Sequence, residues 1–271
     1  MVSASPQDAS RFATLVNRPR IWAIAAIHAD VKRLSAVHDA IERRLEPRDG
    51  LVYLGNMVGR LTAARDTIDE LLSFRRGFIA RTGSFAEDLV YLRGSQEEMW
   101  QKLLELQFAP DPVGIFHWML DHGVGATLES YGYSAREGQG VMRQGPLAIT
   151  RWTNAVRATI NASPGHAQFL VALRRAAYTS AHDLLFVHAG IDMGAPLANQ
   201  KDSFWWGGGG FFDSNEPYAG YRRVIRGFDQ RHDGLRATEH AVSLDHGCGF
   251  GGALIAACFA ADGEILDCFE A

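Results

Sequence analysis

Cysteine is scarce in this chain: only Cys248, Cys258 and Cys268 are present. An odd number without C-x-x-C spacing argues against a disulfide framework or a zinc knuckle. Reduced, buried thiols are the expectation. No apolar run approaches the roughly 20 residues that span a bilayer, so no membrane partner is expected. The first residues, MVSASPQDASRFATLVNRPR, lack the apolar core of a secretory signal, and a cytoplasmic location is the corresponding expectation. Charge of one sign is also missing. A net charge of −4 and a pI near 6.2 provide no global field to recruit nucleic acid. Internal repeats and low-complexity segments are absent.

What is present is a chain of 271 residues, 47% hydrophobic, ample for a large core. Three stretches share one plan: RIWAIAAIHAD (20–30), LVYLGNMVGR (51–60) and DLVYLRGSQEE (88–98). In each, an apolar, β-prone run ends at small and polar residues. Strands are predicted near Ile21–Ile27, Leu51–Leu54 and Leu89–Leu92. Between them, Leu34, Val37, Ile41 and Leu45 fall at helical spacing, as do Ile68, Leu71 and Leu72. Strands alternating with helices predict βαβ units and a largely parallel sheet. Ligands in open α/β sheets bind beyond the carboxyl ends of the strands, so the residues there should carry the function.

Residues 1–17 read as a flexible arm and 18–271 as a single domain. From about 97 to 181 the texture changes to a helical insert expected to cap the site. QEEMWQKLLELQF and NASPGHAQFLVALRRAAY are predicted helices within it. Strands return at LLFVHAGI and continue through VIRGF, HAVSLD, GALIAACFA and EILDCFEA. Trp205–Phe212 (WWGGGGFF) is a glycine-rich loop whose backbone freedom predicts mobility.

The loops resemble the metal-binding motifs of calcineurin-like metallophosphoesterases, in the branch of serine/threonine protein phosphatases and bacterial symmetric diadenosine tetraphosphatases. That family carries Gly-Asp-x-His-Gly, Gly-Asp-x-x-Asp-Arg-Gly and Gly-Asn-His-Glu. Here stand Ala25-Ala26-Ile27-His28-Ala29, then Gly55-Asn56-Met57-Val58-Gly59-Arg60-Leu61, then Gly94-Ser95-Gln96-Glu97. The segment FHWMLDHGVGATLESYGY and the last strands also resemble the family, so the likeness covers nearly everything after Arg18. It implies an α/β sandwich of two packed mixed sheets flanked by helices, with a helical cap.

Family members hold two divalent ions, manganese, iron or zinc, which activate water and clamp a phosphate. By resemblance, the first metal-binding Asp falls on Ala26, the bridging Asp on Asn56, the Asn on Ser95 and the second late His on Phe228. The general-acid His falls on Gln96. His28 and His188 keep ligand positions and Arg60 keeps a phosphate-binding one. A neutral Asn56 provides no anionic bridge between two dications, and an amide at Gln96 does not titrate in a useful range. No cofactor and no catalytic residue are therefore expected. The chain reads as a degenerate phosphoesterase that binds a partner protein, or a phosphate or nucleotide-like anion through Arg60, His28 and His188. The anion should bind more tightly below about pH 6.5, where histidine gains charge, unless Arg60 pairs with Asp30 or Glu97. The alternatives are a phosphatase or dinucleoside polyphosphate hydrolase with altered or single-metal chemistry, using Asp30, Glu97 or Glu98, and a structural interaction subunit.

Other features read more plainly. His117, His122, His182, His232, His240 and His246 are expected at the surface or in structural roles. Asp121-His122 and Asp245-His246 fail as metal pairs if strand neighbours point to opposite faces. GCGFGG (247–252) has too few residues after it for a dinucleotide site and reads as a turn. Arg222, Arg223, Arg226 and Arg231 read as a solvated basic face.

Overall fold

The computed structural model describes residues 11–207, 210–213 and 216–271. Two mixed sheets carry the fold. One contains β2 (Arg20–Ile24), β3 (Gly50–Tyr53), β4 (Leu89–Tyr91), β10 (Ile255–Ala260) and β11 (Ile265–Glu270), in the order β11-β10-β2-β3-β4. β2, β3 and β4 run parallel, whereas β10 is antiparallel to β2 and β11. The other contains β1 (Phe12–Leu15), β5 (Ala176–Thr179), β6 (Leu184–Val187), β7 (Arg223–Arg226), β8 (Arg236–Ala237) and β9 (Ala241–Ser243), in the order β1-β5-β6-β7-β9-β8. β3, β4 and β6 are buried at every residue, which is why their sequences are continuous apolar runs rather than alternating ones.

The connecting helices follow from their stripes. In α1 (Val31–Glu42), Asp30 caps the start by accepting from Arg33 N at 3.1 Å, and Leu34, Val37 and Ile41 face the core. The helix ends before Leu45, which still packs against that core. α2 (Ala64–Ile79) buries Ile68, Leu71 and Phe78. The central core lies between the sheets, with Phe186 of one meeting Phe259 of the other at 6.3 Å between ring centroids.

The insert comprises α3 (Ser95–Leu103), α4 (Pro112–Asp121), α5 (Val124–Ser130), α6 (Ala135–Met142), α7 (Pro146–Ala162) and α8 (His166–Ala172). It has its own core around Trp100, Phe116, Leu128 and Trp152. Three expectations change. Phe12–Leu15, placed by sequence in a flexible arm, is strand β1, paired in parallel with β5. Its partner lies more than 160 residues away, beyond the reach of local pattern. The insert closes at Ala172 rather than about 181, because 176–179 is strand. The helix expected over NASPGHAQFLVALRRAAY is split at Ser163-Pro164-Gly165, where Gly165 takes φ 83°. Among the described residues, no helix is long and apolar enough to cross a membrane.

Of the glycine-rich loop, Trp205 and Trp206 belong to α9 (Ser203–Trp206), while Gly208 and Gly209 lie outside the described residues. The expected basic face is also revised. Arg226 is buried, donates to Ser243 Oγ and pairs with Asp229.

Candidate functional site

The loops that follow β2, β3, β4, β6 and β7 converge beyond their carboxyl ends and are tied to one another through the backbone. The amides of Ile27 and His28 both donate to Asn56 O, at 3.0 and 2.7 Å, and Ala26 N donates to Gly227 O at 2.9 Å. This bracing holds His28, Ala29, Asn56 and Arg60 at φ of 52°, 63°, 52° and 61°. Such left-handed conformations at residues other than glycine cost on the order of 1–3 kcal/mol each and persist only where the surroundings impose them. Gly94 has no alternative, since a Cβ there would stand 2.3 Å from Asn56 N.

Glu97 is the hub. At 1% exposure, it accepts from Gly94 N (2.8 Å), Asn56 N (2.9 Å) and Val58 N (3.0 Å). Burial pushes its pKa up, and the donated amides work in the opposite direction. Both oxygens therefore serve the loops. Neither of the other two candidate carboxylates is free: Asp30 pairs with Arg33 and Glu98 with Arg93, each at 3.2 Å.

Asn56 Oδ1 accepts from Ser95 Oγ (3.1 Å) and Gln96 N (2.9 Å). Those bonds fix the amide, so its Nδ2 faces His28 Nε2 at 3.4 Å as donor and leaves the imidazole proton on Nδ1. His188 Nδ1 donates to Leu54 O at 2.8 Å, which leaves a lone pair on Nε2. Phe228 lies flat on His188, 5.4 Å between centroids and 10° between planes, and stands edge-on to His28 at 5.8 Å. Phe250 covers the other side of His28 at 5.2 Å.

Both imidazoles are consequently dry. Burial holds His188 down to about 4. Burial, followed by the neighbouring charges of His188, Arg60 and His232, drives His28 well below the ordinary histidine value. The expectation that this pair charges near pH 6.5 is corrected, because desolvation disfavours the imidazolium. Arg60 pairs with neither Asp30 nor Glu97. Its guanidinium sits 4.7 Å over the Phe250 ring, and burial lowers its pKa. Gln96 Nε2 reaches His122 O in the cap at 2.8 Å. The Gln96 side chain fills the space beside Gly59, where a Cβ would meet Oε1 at 2.1 Å and Cδ at 2.4 Å.

Sequence reasoning missed two walls. The GCGFGG turn is not remote: Gly249 packs on His28 so closely that a Cβ would meet His28 Cβ at 2.3 Å, and Phe250 lies between His28 and Arg60. His232, expected at the surface or in a structural role, takes the structural one: it holds Asp245 at 2.8 Å and tilts against Phe250 at 4.4 Å, which brings it into the wall of the site. The run of glycines, read only as a turn, was the signal for close approach.

No family model matches the sequence, and no curated protein matches it. Solved structures do. A protein assigned as a diadenosine tetraphosphatase is 19% identical, with a TM-score of 0.55 over 96% of this chain and 98% of that one. A protein serine/threonine phosphatase from Saccharomyces cerevisiae, similar to human phosphatase PP5, is 13% identical at TM-score 0.52 over 96% and 84%. A cold-active protein-tyrosine phosphatase of a psychrophilic Shewanella species is 14% identical at 0.51 over 98% and 86%. This is the metallophosphoesterase fold.

Within that fold, these residues do not fit the two-ion centre. Ala26 and Phe228 offer no donor, Asn56 Oδ1 is committed to Ser95 and Gln96, and Glu97 to three amides. Among the described residues, no group of three or more His, Cys, Asp or Glu side chains is arranged to hold a metal ion.

Proposed function

We propose that this chain is a phosphoesterase-fold protein without two-metal hydrolysis, acting by binding a phosphate-bearing anion in the remodelled site. The observation that carries this reading is where unpartnered polar atoms accumulate. Among the described residues, seven buried side-chain nitrogen or oxygen atoms have no hydrogen-bond partner. Four of them are His28 Nδ1, Arg60 Nε, Gln96 Oε1 and His188 Nε2. Buried polar groups are ordinarily satisfied, so such a concentration calls for a ligand. The four divide into two donors, His28 Nδ1–H and Arg60 Nε–H, and two acceptors, Gln96 Oε1 and His188 Nε2. A protonated phosphate or phosphomonoester has both complements: oxygens that accept and one P–OH that donates. Arg60 contributes the full charge and a planar fork suited to such oxygens.

The chemistry stops at binding on this reading. Gln96 cannot protonate a leaving group, and His188 is held neutral as an acceptor rather than poised as an acid. The test is calorimetry with inorganic phosphate, alongside hydrolysis assays with an aryl phosphate, a phosphopeptide and diadenosine tetraphosphate in manganese. Phosphate should bind, weaken in Arg60→Ala, and gain nothing from the imidazoles between pH 7 and pH 6. Metal-dependent turnover abolished by His28→Ala would overturn the reading and favour altered metal chemistry, which the free lone pair on His188 Nε2 could serve.

A further inference from the structure

A cavity of about 620 Å³ opens where the two sheets meet edge to edge. Among the described residues, β1 ends one sheet and β4 ends the other, so each presents a strand with a neighbour on one side only. None of the lining residues belongs to the phosphoesterase site. Leu72, Leu89, Val90, Tyr91, Phe169 and Phe12 form the walls. The aromatic part is rigid: Tyr91 stacks on Tyr53 at 4.9 Å, meets Phe169 at 5.0 Å and donates its hydroxyl to Leu71 O at 3.0 Å. A volume of this size falls within the roughly 300–1,000 Å³ of small-molecule sites, which pair apolar walls with a few fixed polar groups.

The charges on the lining choose the ligand. Among the described residues, Arg75 and Arg174 are cationic and Glu87 is the single carboxylate, which gives that lining a net +1. Arg75 is half-buried and, among the described residues, its side chain has no hydrogen bond or ion pair. Arg174 uses one guanidinium nitrogen on Ala172 O at 2.8 Å and on Leu173 O, leaving the remainder of its fork free. A half-buried, unpaired guanidinium at the edge of an apolar chamber complements an anion attached to an apolar body.

We propose that this cavity binds an amphipathic organic carboxylate, its chain against Leu72, Val90 and Phe169 and its head at Arg75. The proposal is independent of the phosphate reading and involves no covalent step. The probes are decanoate and decanol, which differ only in the head group, titrated into the full chain by calorimetry below the aggregation concentration of each. Decanoate should bind, and Arg75→Gln should weaken it by about tenfold while changing decanol by less than about twofold. Gln168→Trp, at an exposed position on the rim of α8, should obstruct the mouth of the chamber and weaken both without loss of thermal stability. Equal binding of the two probes, no binding of decanoate, or unchanged binding in Gln168→Trp each overturns the proposal. So does a dimer that Gln168→Trp dissociates, which would make the cavity a contact between two copies.

Discussion

His188 should make the folded state sensitive to acid. The unfolded chain takes up a proton there near the ordinary value of 6.5, whereas the folded chain refuses it until about 4. Between those limits the unfolded state binds more protons, so stability is full above about pH 6.5 and falls as the pH drops towards 4. Each tenfold change in proton affinity corresponds to about 1.4 kcal/mol, and the whole interval to about 3 kcal/mol. The comparison to make is with His188→Asn, whose amide can still donate to Leu54 O but does not titrate. That variant loses packing against Phe228 at every pH, so the difference in slope is informative rather than the offset. Urea unfolding from pH 7 to pH 4.5 should show the wild type losing about 2.5 kcal/mol more than the variant. His28 is shifted in the same direction but is present in both proteins and largely cancels. Parallel slopes, or an imidazolium signal from His188 by NMR at pH 6, would refute the claim that this ring is desolvated.

Removing the Glu97 carboxylate strands three buried amides. Glu97→Ala should cost about 3 kcal/mol or more in urea unfolding. A loss below about 1 kcal/mol, or a gain in stability of the kind seen when functional groups are deleted, would return Glu97 to the list of chemical residues. Neutral residues at Ala26 and Asn56 leave no crowded carboxylates for metal to offset. A chelator should therefore leave the melting temperature unchanged, and manganese or zinc should not raise it. A chelator-induced fall of several degrees would reveal a structural ion.

The strands and helices that shape the site were legible because their burial is two-sided or striped, as in β3 and α1. His28, Asn56, Ser95, Gln96, His188 and Phe228 were legible as a set because motif order fixes which loop each occupies. What was not legible depended on distance or on solvent. β1 could not be read because its partner is distant in sequence. The wall formed by Gly249 and Phe250 arrives from the far end of the chain, where glycine spacing suggests a turn but does not say what it turns against. The charge state of His28 and His188 depends on their dryness, and it is Phe228 and Phe250, not the histidines, that exclude the water.

The fit of Gln96 beside Gly59 makes the two positions depend on one another. In the resembling family the position of Gly59 is an aspartate. Any β-carbon restored there, at φ 88°, collides with the glutamine along three atoms of its side chain. Moving that side chain would also give up its bond to His122 O. A side chain at residue 59 thus requires the Gln96 side chain to move or to be replaced. A change at residue 96 alone gives up the bond to His122 O and leaves the space beside Gly59 unfilled. The two positions are therefore coupled, and a side chain at residue 59 should be tolerated better together with a smaller residue at 96 than alone.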